Sequence, residues 1–240
     1  VKITFSSFED YFSNFNPHMC FYGFNGTGKT SFAGRTGLRT IELDCGDAGV
    51  VTLKGAKNIK IVRIRSIAHY LEVVTELNNR EGQFDLLIPD TLTGLQSLAI
   101  REVKGKGKNK KEMNQRLWGQ VGSMLIECIH ETSQFPGGVI YLAQERRKSK
   151  KGDEGFETFA PSLTPGVREF LSSKVDWIGR LYLDGDSRKV TFKLTDLIEA
   201  KDRVNPPVFP KDLKLGNDPL MMGEAYLKIR ERIVKAVSTT

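Results

Sequence analysis

Hydrophobic positions along the chain follow two rhythms. Short continuous apolar runs, Met19 to Tyr22, "FDLLIPD" ending at Asp90 and "GGVIYLAQ" ending at Gln144, read as buried strands. Between them the period lengthens. Ile67, Tyr70, Leu71, Val74 and Leu77 fall on one helical face that stops before Gly82, and Met113, Leu117, Val121, Leu125 and Cys128 mark a helix from about Glu112 to Gln134. Farther on, "DWIGRLYLD" and "KVTFKL" flank the turn "GDSR" and predict a hairpin, and "NDPLMMGEAYLKIRERIVKAV" predicts a single closing helix. Strands alternating with helices imply an α/β fold, with a mostly parallel central sheet flanked by helices and right-handed crossovers. In such sheets ligands gather beyond the carboxyl ends of the strands. Asp90, Gln144 and the residues after Tyr22 all fall on that edge. Pro89 lacks the N–H of a central strand, so the strand ending at Asp90 is either interrupted there or borders a gap.

The stretch after Tyr22 is "GFNGTGKTS", residues 23 to 31. Gly23, Gly28, Lys29 and Thr30 have the G-x-x-x-x-G-K-T spacing of a phosphate-binding P-loop. Gly26 and Gly28 can take backbone angles closed to other residues, so that successive N–H groups turn inward around an anion. A helix beginning near Lys29 adds its positive end, the lysine ammonium reaches the outer phosphates, and the Thr30 hydroxyl can ligate magnesium. The nucleotide-contacting set is therefore Gly23, Phe24, Asn25, Gly26, Thr27, Gly28, Lys29, Thr30 and Ser31, with ATP and Mg²⁺ as cofactors.

Composition adds little until the charge is divided along the chain. "KGKGKNKK" at 104–111 and "RRKSKK" at 146–151 hold ten of the 36 Lys and Arg residues and no acid, leaving 26 bases against 29 acids elsewhere. Glycine-interrupted lysines make poor helices, so both segments are predicted to be mobile loops. One basic run is usually a solvated surface; two leaving the same sheet edge point to nucleic acid. The candidate contacts are Lys104, Lys106, Lys108, Lys110 and Lys111, with Arg146, Arg147, Lys148, Lys150 and Lys151. Phe156 and Phe159 would either stack on bases or pack their loop against the core. No apolar run is long enough to span a membrane, and no signal-peptide pattern is present, so an intracellular protein is expected. Cys20, Cys45 and Cys128 are scattered and read as buried free thiols. His18, His69 and His130 are isolated and carry no assigned role. Trp118 and Trp177 read as core residues.

From these motifs in this order, residues 17 to 210 resemble the RecA-like core of recombinases and their phage relatives. "GFNGTGKT" resembles the Walker A loop and "LLIPD" with "TLTGL" the Walker B strand, whose aspartate, Asp90, would hold magnesium with Thr30. "VIYLAQ" is similar to the strand ending in the RecA sensor glutamine, making Gln144 the γ-phosphate sensor. By the same resemblance residues 101 to 112 and 146 to 160 stand where the two DNA-binding loops stand. "EAKDRVNPP" is similar to the segment offering basic residues to ATP on a neighbouring subunit, here Lys201 and Arg203. The resemblance implies three parts: an N-terminal extension over 1–16, a RecA-like P-loop NTPase core over 17–210 with a late β-hairpin, and a helical tail over 211–240. The short start and tail, with "YLAQERR" and "PSLTPGVREFLSSKVDWIGRLYL", are most similar to phage single-strand annealing proteins of RecA-like type.

That resemblance implies an ATPase that binds single-stranded DNA and supports strand annealing or recombination. It would assemble as a homo-oligomeric ring or filament with ATP at subunit interfaces, with a single-strand-binding protein as a further partner, in the cytoplasm of a bacterial host. The catalytic base departs from the pattern. RecA carries a glutamate just beyond the second strand, where "IELDCGDAG" places Asp44, Gly46 and Asp47. Asp47 or Asp44 is a candidate to activate water, with Glu42, Glu102 and Glu145 as alternatives. A hexameric helicase-type motor and a nucleotide switch that does not bind DNA are the competing readings. The first would unwind duplexes, and the second leaves both lysine-rich segments unexplained.

Overall fold

The computed structural model describes residues 15–46, 48–80, 82–105, 112–149 and 157–238. Ten strands and six α-helices are present among them. The strands are β1 (His18–Gly23), β2 (Thr40–Asp44), β3 (Ile59–Arg63), β4 (Leu86–Asp90), β5 (Gly138–Ser149), β6 (Glu157–Pro161), β7 (Trp177–Asp184), β8 (Ser187–Thr191), β9 (Lys201–Asp202) and β10 (Leu213–Lys214). The helices are α1 (Lys29–Gly34), α2 (Ile67–Asn78), α3 (Leu92–Lys104), α4 (Gln115–Thr132), α5 (Pro165–Lys174) and α6 (Pro219–Ser238). A 3₁₀ turn covers Ala48–Leu53.

The sheet runs β10-β8-β7-β1-β5-β4-β2-β3, with β6 paired to β5 and β9 to β7. β1, β2, β3, β4, β5 and β7 are mutually parallel, while β6, β8 and β9 run antiparallel to their neighbours. The result is a mixed sheet with a parallel centre. Alternate residues of the central strands feed two separate cores, as the period of two requires. Cys20, Tyr22, Leu43, Tyr141 and Ala143 pack with α2, α3, α4 and α5 on one face. Met19, Phe21, Leu86, Ile88, Ile140 and Leu142 pack with α1 and α6 on the other. Helix starts follow local chemistry. Ser66, Thr91 and Asn114 cap α2, α3 and α4 by accepting from His69 N, Gly94 N and Leu117 N, each bond worth about 1 kcal/mol.

α6 belongs to this second core rather than hanging from it. Its Tyr226 ring lies edge-on to Phe32 of α1 at 5.7 Å, and Phe32 meets Phe21 of β1 at 4.8 Å. Each such aromatic pair adds about 1 kcal/mol to the area it buries. The close approach depends on Gly223, where a Cβ would lie 2.0 Å from the Arg35 carbonyl oxygen.

Three sequence expectations are corrected, and one left open at Pro89 is resolved. The stretch following Asp90 forms helix α3 as far as Lys104, so residues 101–104 of the expected first loop are helical. The third strand of the motif does not stop at Gln144; β5 continues to Ser149 because β6 pairs with Glu145–Ser149 and satisfies its backbone groups. Arg146 to Ser149 therefore form a hairpin arm instead of a mobile loop. Trp118 is 40% exposed, whereas Trp177 is buried. The buried stripe of α4 is Leu117, Val121, Leu125 and Cys128, and Trp118 lies about 100° around the helix from Leu117. Pro89 borders a gap: β4 pairs with β2 as far as Asp90, but its pairing with β5 ends at Leu87. The start of α3 enters that gap, with the Thr93 hydroxyl accepting from Gln144 N at 3.0 Å. Lys106, Lys108, Lys110, Lys111, Lys150, Lys151, Asp47 and Phe156 lie outside the described residues, as does the Lys148 side chain.

Candidate nucleotide site

β1 ends at Gly23 and the chain turns through Phe24 to Gly28 into the short helix α1. Gly26 and Gly28 have φ of 82° and 90°, the left-handed angles that the glycine spacing predicts. Gly23 has no room for a side chain either: a Cβ would sit 2.3 Å from the Leu181 carbonyl oxygen of β7. Lys29 folds back over the loop and donates from Nζ to Gly23 O at 2.9 Å, Phe24 O at 3.1 Å and Gln144 Oε1 at 3.2 Å. The lysine is thus held at the point where Gly23 and Gln144 lie in register on adjacent strands.

The register also sets the acids. Glu42 lies opposite Ile88 and Asp44 opposite Asp90, and Ile88 belongs to the α1 core, so Glu42, Asp44 and Asp90 share the face carrying α1. Asp90 is buried and accepts a hydrogen bond from the Thr30 hydroxyl at 2.7 Å. Gly49, in the 3₁₀ turn, covers this pair; a Cβ there would be 2.3 Å from Thr30 Oγ1 and 3.2 Å from Asp90 Oδ2. A hydroxyl and a carboxylate converging under a residue without a side chain fit a small oxygen-preferring cation such as Mg²⁺. Thr30 and Asp90 are the residues that would hold it.

The candidate bases separate by environment. Glu42 is fully buried, neither of its carboxyl oxygens has a hydrogen bond among the described residues, and burial first, then Asp90 and Asp44, pushes its carboxyl up to about 9. It is protonated at neutral pH and cannot serve as the ionised acceptor. Glu102 is occupied elsewhere, accepting from Ile67 N at 2.8 Å at the head of α2. Glu145 is clamped by Arg180 at 2.7 Å and Arg147 at 3.2 Å. Asp44 lies at the strand end beside Asp90 and accepts from Gly46 N at 2.9 Å.

Around the loop is a cleft of about 870 Å³, lined by Phe24 to Gly26, Gly28 to Ser31, Gly49, Thr52, Thr91, Asn217, Pro219 and Met222. Asp90, Gln144, Glu145 and Arg188 complete it. Lys201 and Arg203 are not near it in this chain. β9, which contains Lys201 and ends just before Arg203, pairs with the amino half of β7, Lys201 beside Ile178, whereas Gly23 lies level with Leu181. Lys201 caps α5 by donating to the carbonyls of Ser172 and Val175, at 2.5 and 2.7 Å, and burial and Arg203 lower its pKa against the opposing pull of Asp176. Arg203 pairs with Asp176 at 2.9 Å. Any contact of these two with nucleotide would be with a neighbouring subunit's.

An aromatic and cationic cluster joins the P-loop to the β5–β6 hairpin. The Arg147 guanidinium lies 4.9 Å from the Phe24 ring centroid and 5.6 Å from that of Phe159, while Arg180 lies 3.6 Å from Phe159. Tyr22 OH donates to Phe159 O at 3.1 Å, and Phe159 N donates to Leu197 O at 2.6 Å. Phe159 is therefore a packing residue, which resolves the alternatives left by the sequence.

A second concavity, about 800 Å³, opens between α4 and the start of α5. Trp118, Gly119 and Gly122 of α4 and Thr164 to Val167 at the start of α5 line it, together with Arg146 and Gln96. Burial and nearby Arg168 lower the Arg146 pKa, partly offset by Glu199. Sequence reasoning missed this groove, because Trp118 and Thr164 meet only in the tertiary fold. The single legible signal was a tryptophan one position off the apolar stripe.

An α/β sheet with a glycine-lined anion loop at its carboxyl edge, and a Thr–Asp pair beside it, defines a P-loop nucleotide-binding protein. Over residues 16–204 the chain matches the AAA domain family and belongs to it. This is an ATPase-type domain, a class that binds nucleotide, usually with Mg²⁺. No curated protein matches the chain. Among the described residues no helix is long and apolar enough to cross a membrane, and no three His, Cys, Asp or Glu side chains cluster as a separate metal site. The three cysteines are buried free thiols, and burial raises the Cys20 and Cys128 pKa values, that of Cys128 to about 12.

Proposed function

We propose that this ATPase binds single-stranded DNA under nucleotide control and supports strand annealing or recombination, in the manner of RecA-like phage annealing proteins. The observation that carries the reading is the Trp118 groove. It pairs an exposed indole with Arg146; the second basic segment includes Arg146 itself, and the first precedes α4, the helix that carries Trp118, in the sequence. A stacking surface next to a dense positive charge suits a flexible single strand, whose bases are open to stacking and whose phosphates attract lysine and arginine. Lys104, Lys106, Lys108, Lys110, Lys111, Arg146, Lys148, Lys150 and Lys151 would follow the backbone. Each phosphate neutralised adds about −0.7 to the slope of log affinity against log salt. Arg147, by contrast, is engaged by Glu145, Phe24 and Phe159 and serves the link to the P-loop.

That link supports nucleotide control. Gln144 meets Lys29 through its side chain, while its carbonyl accepts from Ser162 N at 2.7 Å, just beyond β6. A γ-phosphate competing for Lys29 would free Gln144 and shift the hairpin root. In this reading residues 17–210 are the working core and 211–240 a tail that braces α1. Lys201 and Arg203 reach ATP on the next subunit of a ring or filament. The test is fluorescence anisotropy of a labelled single-stranded oligonucleotide, with and without ATP and Mg²⁺, against unlabelled duplex competitor. Single-strand-preferring binding strengthened by nucleotide and weakened about tenfold or more by Trp118→Ala is expected, given about 1–3 kcal/mol per stacked base. No binding at low salt under any nucleotide condition overturns the reading in favour of a nucleotide switch.

A further inference from the structure

Arg188 has no role in the motif pattern, yet it lies in the nucleotide cleft. It is the second residue of β8, opposite Leu183 across the hairpin, and its carbonyl accepts from Leu215 N at 2.9 Å. Its Nε is buried and has no hydrogen-bond acceptor among the described residues, and none of the ion pairs found among them includes Arg188. Arg188 is half-buried, and a buried N–H without an acceptor is costly unless an anion reaches it. The space it faces is the P-loop. A Cβ on Gly28 would come 2.4 Å from Met222 Cε, 2.8 Å from Met222 Sδ and 3.5 Å from Arg188 Nε. Arg188 and Met222 therefore sit directly over the left-handed turn that precedes Lys29. Met222 comes from α6, beyond the family match, and with Asn217 and Pro219 lines the same cleft as the P-loop.

We propose that Arg188 is a second phosphate-binding cation of the nucleotide site, supplied in cis by the β7–β8 hairpin and positioned over Gly28 by Met222 of the C-terminal helix. The ligand chemistry is a nucleoside di- or triphosphate. The fixed fork of a guanidinium suits the non-bridging oxygens of a polyphosphate and complements the point charge of Lys29 on the other side of the loop. α6 then has a functional reason to pack on α1: moving it would release Met222 and leave Arg188 unsupported.

The proposal rests on the P-loop binding nucleotide, so the experiment includes its own control. A fluorescent ADP analogue is titrated into wild type, Lys29→Ala, Arg188→Ala, Arg188→Lys and Met222→Ala, with AMP and ADP as competitors and with melting curves recorded without nucleotide. Arg188→Ala is expected to lose about 10- to 100-fold in ADP affinity, the effect of a charge-assisted hydrogen bond. It should also narrow the preference for ADP over AMP, with Arg188→Lys recovering part of both and Met222→Ala intermediate. A merely structural role would lower the melting temperature and weaken ADP and AMP alike, and that pattern overturns the proposal. So does ADP binding by Arg188→Ala within about twofold of wild type. If wild type itself fails to bind the analogue, the P-loop reading falls and the proposal with it; if wild type binds and Lys29→Ala does not, the reading stands and Arg188 is judged alone.

Discussion

Glu42 offers the sharpest quantitative test of the structure. It faces the α1 side from the middle of β2 with both carboxyl oxygens buried and without a hydrogen-bond partner among the described residues. Burial, with Asp90 and Asp44 adding to it, raises its pKa from 4.5 to about 9. The sign follows from which state holds the proton. Between those two values the unfolded chain has lost the proton and the folded chain keeps it, so stability falls as pH rises. This penalty is absent below pH 4.5 and complete above about pH 9. Within the window it grows by up to about 1.4 kcal/mol per pH unit, or about 4 kcal/mol between pH 5.5 and 8.5 as an upper bound. Glu42→Gln removes the ionisation and keeps the shape. Burying an amide has its own cost, but that cost does not change with pH and cancels in the comparison. Urea unfolding of both proteins at pH 5.5 and 8.5 should therefore show the variant gaining about 2 kcal/mol or more relative to wild type across the interval. Parallel pH dependences, within about 0.5 kcal/mol, would refute a buried, protonated Glu42.

Two further substitutions test the site and its support. Lys29→Ala removes the ammonium held by Gly23, Phe24 and Gln144, and should abolish measurable ATP binding or turnover; unchanged affinity and turnover, followed by calorimetry and phosphate release, would sink the P-loop assignment. Gly223→Ala would gain about 1 kcal/mol in helix propensity on an exposed helix, yet here the new Cβ meets the Arg35 carbonyl at 2.0 Å. Net destabilisation of about 1–3 kcal/mol is expected, together with weaker nucleotide binding as α6 lifts from the P-loop. Thermal and denaturant melts showing a more stable variant would contradict the packing of α6 on α1.

The sequence by itself determined the local elements and the anion loop. Apolar runs and helical stripes are written in consecutive residues, so β1, β4, α2, α4, the β7–β8 hairpin and α6 were legible. Gly23 to Ser31 was legible because one short segment supplies its own backbone angles and its own lysine. Strand order brought Asp90 to the edge of the P-loop, since parallel strands end together, and its pairing with Thr30 was what the Walker B resemblance implied. Only tertiary structure decided the rest. Glu42, Glu102 and Glu145 look alike in the sequence, but register buries the first without a partner among the described residues, gives the second to the head of α2 and clamps the third between two arginines. Arg146 and Arg147 are neighbours in a basic run, yet a strand turns alternate side chains to opposite sides, so one meets the Trp118 groove and the other the P-loop. Arg188 and Met222 are separated by the rest of β8, by β9 and β10 and by the start of α6, and no periodicity links them. Contacts between distant segments depend on how the two cores close, and in this fold those contacts form the wall of the nucleotide cleft.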